Sequence, residues 1–169
     1  MDDESSQPPE RLVAENLPEV IWLRLRRLTS FQLCRKVIER RTTGLESDVI
    51  DLKAKGMAWA IRSALGYWDA TQGDLNAKIL SRYYALLQIS IAEQIASNDP
   101  SDTLTSIQRH TEFGHGLFML QNPAVTFPDS YLVGCLTSGH FAAYAKKRAV
   151  DLSTFSFERR PRTFGKLVS

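Results

Sequence analysis

The stretch Asp74–Asn98, "DLNAKILSRYYALLQISIAEQIASN", decides how the chain is read. Ile79, Tyr83, Leu86, Leu87, Ser90, Ile91, Gln94 and Ile95 recur at steps of three and four, the period of a helix face. Apolar residues also fall off that stripe, as in a helix covered on more than one side. Asp74 stands where a side-chain oxygen caps the first free amides, and "NDPSD" at 98–102 ends the pattern. This spacing predicts the central helix of a bundle.

Working outward, "PEVIWLRLRRLTSFQLCRKVIERR" at 18–41 places Ile21, Leu25, Leu28 and Gln32 at helical spacing, with Trp22, Phe31 and Leu33 beside them. It reads as one helix of about 20 residues, capped by Asn16 with Pro18 in the first turn, packing across the 74–98 helix. A second helix is expected over 46–71, interrupted in strength by Gly56 and Gly66. A shorter one follows a cap at Ser101 or Asp102. "YLVGCLTSGHF" at 131–141 fits a short strand and turn as well as a helix. "AAYAKKRA" returns to a helical pattern, and "STFSFERRPRTF" resembles an edge strand limited by Pro161. Trp59, Trp68, Tyr83 and Tyr84 are expected in the core. The fold expected is mainly α, a bundle of about four or five helices with a small irregular or β-containing C-terminal part. Its layout is an acidic, disordered segment 1–15, a helical core 16–122 and a basic extension 123–169, with a further region expected beyond it.

The 169 residues suffice for one domain, and 43 % hydrophobic with 24 % charged residues is ordinary for a globular chain. No apolar run approaches the roughly 20 residues of a membrane span, and the acidic, proline-bearing N-terminus is unlike a signal peptide. Cys34 and Cys135 are too few for a disulfide scaffold, so a reducing cytoplasm is expected. Net charge is +2 but uneven. Acidic residues crowd the first 20 positions, whereas Arg24, Arg27 and Arg35 lie in one basic block and Lys146, Lys147, Arg159 and Arg160 in another. Basic blocks with Trp22 and Phe31 among them suit a nucleic-acid backbone; an arginine-rich wet face on a core helix has the same pattern. Walker, G-x-G-x-x-G, H-E-x-x-H and G-x-S-x-G motifs are absent from the sequence.

"SIQRHTEFGHGLFML" at 106–120 carries the densest chemistry. A histidine can take a proton from a 2′-hydroxyl near neutral pH, and an arginine can hold the adjacent phosphate by two parallel hydrogen bonds. Arg109 and His115, six positions apart, would project about 120° away from facing one another on a continuous helix. They could flank one phosphate if Gly114 ends the helix, or if a second copy supplies the partner residue. In the alternative, His115 is a helix-terminal residue bonding the last carbonyls. A metal reading rests on His110-x4-His115 and Cys135-x4-His140, both poorly spaced for one helical face.

"RHTEFGH" is similar to the R-x4-6-H motif of the HEPN superfamily of helical bundles, with polar His110 directly after the arginine. A narrower resemblance is to YaaC-like proteins, in which a helix like "SRYYALLQISIAEQIAS" precedes "HGL" (115–117) and a later G-x-F (139–141). It covers residues 74–145. The resemblance implies a helical fold that often dimerises and, in active members, metal-independent cleavage of RNA in toxin–antitoxin and antiviral defence systems. It nominates Arg109, His115 and His110, with no cofactor and no metal. Gly114 and Gly116 depart from the pattern by setting the motif at a helix end. The expected function is a domain acting on or near RNA, in its catalytic form as a metal-independent endoribonuclease, working as a homodimer or a subunit of a larger complex. The alternative is a non-catalytic interaction or scaffolding module.

Overall fold

The computed structural model describes residues 15–70, 72–112, 114–153 and 162–168. It is mainly helical. In chain order come α1 (Leu17–Arg27), α2 (Phe31–Arg41), α3 (Ser47–Asp69), α4 (Leu75–Ile95) and α5 (Leu104–Glu112). The strands β1 (Leu117–Gln121) and β2 (Tyr131–Cys135) follow, then α6 (His140–Lys147), β3 (Arg162–Thr163) and α7 (Phe164–Val168). Among the described residues no helix is long and apolar enough to cross a membrane. The segment 1–14, Arg159 and Arg160 lie outside the described residues.

α4 begins where the sequence predicts, with the Asp74 carboxylate accepting from the Ala77 amide at 2.9 Å. Asn16 caps α1 in the same way, accepting from the Glu19 amide. The buried centre, however, is α3 rather than α4. Ala54, Met57, Ala58, Ala60, Ile61 and Leu65 are all buried on α3, which packs against α4 on one side and α2 on the other. The small residues let both neighbours approach closely. Gly56 belongs to this design: a Cβ there would stand 2.9 Å from the Leu104 Cβ at the start of α5. α4 instead leaves Leu75, Ile79, Leu80, Tyr83 and Leu86 exposed.

The single helix expected over 18–41 is two helices, and they lie on α3 rather than across α4. The chain tightens at Leu28, whose amide reaches both the Arg24 and Leu25 carbonyls. The Thr29 hydroxyl takes the Arg26 carbonyl at 2.7 Å, a backbone contact that competes with helix continuation. The carbonyls freed by the break are claimed from elsewhere: Cys34 Sγ donates to Leu28, and Arg62 of α3 donates to Thr29 at 2.8 Å. The cap of α5 also differs from expectation. Thr103 and Ser106 exchange amide-to-hydroxyl bonds as a capping box, while Asp102 is buried with Ser97 and Lys147.

A three-stranded antiparallel sheet, in the order β1-β2-β3, sits beside the bundle. Phe118 pairs with Gly134 and Leu132 with Thr163. β1 was not anticipated, because "LFMLQ" continues a helix-like apolar run. Since β1 and β2 pair across residue 122, the expected division there cuts through one hairpin. Trp59 and Tyr83, expected in the core, lie at the surface, and Trp68 packs half-buried against Trp22, the rings tilted at 43° with a centroid distance of 4.5 Å.

A candidate site where the three histidines gather

α5 stops at Glu112, and Gly114 and Gly116 follow with φ of +84° and +80°, values that non-glycine residues rarely adopt. His115 is therefore lifted out of the helix, as the glycines imply. Its ring stands edge-on to Tyr83 at 5.4 Å and to Tyr84 at 6.4 Å, both on α4. Tyr84 stacks in turn on Tyr67 of α3 at 5.4 Å. His115 is exposed at the rim of this aromatic group, and Arg109 is exposed in the last turn of α5. Among the described residues Arg109 makes no ion pair, and no hydrogen bond joins it to His115.

Backbone hydrogen bonds hold the glycine loop. Amides at the start of α6 donate into it, His140 to the Gly114 carbonyl (3.2 Å) and Phe141 to the His115 carbonyl (3.0 Å), while Leu136 donates to Gly116 (2.9 Å). Gly139, at φ +95°, makes this crossing possible: a Cβ on it would lie 2.6 Å from the Gly116 amide nitrogen. The two glycine-bearing elements at 115–117 and 139–141 are thus in direct contact.

That crossing brings His140 into the interior, 4 % exposed, with Nε2 at 2.8 Å from Ser90 Oγ. Ser90 Oγ also donates to the Leu87 carbonyl (2.7 Å), and the Gln94 side-chain nitrogen stands 3.5 Å from the same ring nitrogen of His140. Nδ1 of His140 is buried without a partner, as is Nδ1 of His110. Burial first, then the nearby His110 and His115, hold the His140 imidazole down at about 4, so it is neutral at physiological pH. Burial, then Tyr84, pushes the Tyr83 phenol up. Tyr144 stacks parallel to His140 and donates to Glu93, which also pairs with Arg148.

No family model, curated protein or solved structure matches the chain.

The structure gathers all three histidines of the chain here, but only His115 is exposed. Ser90, Gln94, Tyr83 and Tyr84 join the group although sequence reasoning treated them as stripe or core. The signal lay in the stripe itself, where polar Ser90 and Gln94 occupy core-facing positions one turn apart. Cys135 and His140, considered as metal ligands, have other surroundings: burial raises the Cys135 thiol, and His140 is engaged by Ser90. Among the described residues no group of three or more His, Cys, Asp or Glu is placed to hold a metal ion.

The basic residues separate. Arg35 is held between Asp51 (2.6 Å) and Glu39 (2.8 Å) and donates to Ser47, and Lys147 is paired with buried Asp102. Both are committed within the fold. Lys146 is exposed on α6. Arg24 and Arg27 line an open groove between α1 and α2.

Proposed function

We propose that this is a HEPN- and YaaC-like intracellular domain acting on RNA, with Arg109 and His115 as a metal-independent cleaving pair. One observation carries the reading: His115 is freed from α5 by two left-handed glycines and braced at the surface on Tyr83 and Tyr84, while Arg109 is exposed in the last turn of α5. The tyrosines offer flat apolar faces on which unpaired bases stack, each stack contributing about 1–3 kcal/mol. Arg109 would bind the scissile phosphate. His115 would take the 2′-hydroxyl proton as that oxygen attacks phosphorus, and the 5′-oxygen would leave with a proton from water. His110, directly after Arg109, lines the interior side of the group. A cytoplasmic setting and a defence or toxin role belong to the same proposal.

The test is incubation with labelled RNA in EDTA. Wild type is expected to give 2′,3′-cyclic phosphate ends, and His115→Ala or Arg109→Ala to lower the rate at least a hundredfold. RNA left intact by wild type sinks the catalytic reading.

A second reading is favoured by the exposed row Leu75, Ile79, Tyr83 and Leu86 on α4. Apolar residues at steps of four and three facing solvent suit a helix whose partner is another protein surface. On this reading the domain is a non-catalytic scaffold, as a homodimer or a subunit of a larger assembly. Intact RNA together with a subunit mass above the monomer in sedimentation would support it.

A further inference from the structure

The groove between α1 and α2 has a volume of about 540 Å³ and a chemistry unlike that of the histidine site. Arg24 and Arg27 stand on its α1 bank, Lys36 and Arg40 on its α2 bank. Leu28, Leu33 and Val37 form the apolar surface between them. The arrangement follows from helix geometry: 24, 27 and 28 share one face of α1, and 33, 36, 37 and 40 share one face of α2. Among the described residues no acidic side chain lines it. The nearest carboxylate on α2, Glu39, is bound to Arg35, and among the described residues Arg27, Lys36 and Arg40 form no ion pair.

We infer that this groove docks an acidic amphipathic helix of a partner protein, its apolar stripe on Leu28, Leu33 and Val37 and its carboxylates between the two rows of cations. Charge complementarity selects an acidic occupant, and the apolar floor selects among acidic occupants. A nucleic-acid backbone is charged but carries no apolar stripe, and among the described residues no aromatic ring lines the groove on which a base would stack. A helix with leucines at i, i+4 and i+7 and glutamates on its flanks matches both features. The lining runs over 24–28 at the end of α1 and 33–40 on α2, where the α2 bank is about 12 Å long, room for about two turns of the occupant. The inference is independent of the RNA reading, since the groove shares no residue with the histidine site.

The experiment is fluorescence anisotropy on the full chain with four probes. These are a 14-residue synthetic helix of that pattern, its scrambled isomer, its counterpart with lysines in place of glutamates, and a 12-nucleotide oligouridine. The patterned peptide is expected to bind in the micromolar range and the scrambled one at least tenfold more weakly. Arg27→Glu with Lys36→Glu should weaken the patterned peptide at least tenfold at unchanged thermal stability. A peptide with lysines in place of its glutamates should recover binding to that double variant. Val37→Asn should weaken binding several-fold with both charge rows intact. Equal binding of the scrambled peptide, or indifference to the charge reversal, overturns the inference. Oligouridine that binds tighter than the peptide and is lost in the double variant overturns it in favour of nucleic acid. His115→Ala and Arg109→Ala leave the groove untouched, so failure of the RNA reading does not alter the peptide result.

Discussion

His140 shows how one residue ties acid stability to the candidate site. An unfolded histidine takes up its proton near pH 6.5, whereas buried His140 resists until about 4. Between those values the unfolded chain binds more protons, so stability is complete above pH 6.5 and falls as pH drops toward 4. The loss attached to this side chain is on the order of 3 kcal/mol. Urea midpoints taken from pH 7.5 to 4.5 should therefore decline steeply in wild type and less so in His140→Gln; equal slopes would refute the assignment. The sequence carried part of this. Ser90 and Gln94 on the apolar stripe mark a buried polar partner, but a stripe on α4 contains nothing about which of three histidines supplies it.

The elements meet at this site through glycine. The loop at 114–116 and the start of α6 touch backbone to backbone, and Gly139 has both a positive φ and no space for a side chain. Gly139→Ala is expected to cost about 2–4 kcal/mol, since the strain and the overlap with Gly116 add. It should also free the His115 ring, a change visible in its NMR line widths. A variant as stable as wild type would show that the crossing is loose. Helix starts were legible at this scale, because Asn16 and Asp74 cap amides three residues away. The break at Leu28–Ser30 was not, because the group that donates to the freed Thr29 carbonyl is Arg62, more than thirty residues along the chain. β1 was hidden for the same reason: "LFMLQ" is extended only because "YLVGC" lies beside it.

Across the whole molecule, Lys53 joins the bundle to its C-terminal part. Its side chain is fully buried on α3 and donates to the Ser97 carbonyl (3.0 Å) and the Asp99 carbonyl (2.5 Å), just beyond α4. Burial lowers its pKa, and Asp102 and Asp99 oppose that shift. Asp102 also receives Ser97 and Lys147 of α6, so α3, the α4–α5 connection and α6 share one polar knot. Lys53→Met leaves two carbonyls short of a donor and removes a positive charge near buried Asp102, at a cost of about 3 kcal/mol. Melting should fall by roughly 6–12 °C for a chain of this size, and an unchanged melting temperature would refute the role. By itself the sequence determined the helical class, the Asn16 and Asp74 caps and the placement of His115 at a helix end, because periodicity, capping and glycine conformation act within a few residues. Only the tertiary structure decided that α3 is the centre, that Arg35 and Lys147 are occupied within the fold, and that Arg24 and Arg27 face a groove. Burial and ion pairing depend on which distant surfaces meet, and local spacing carries no record of that.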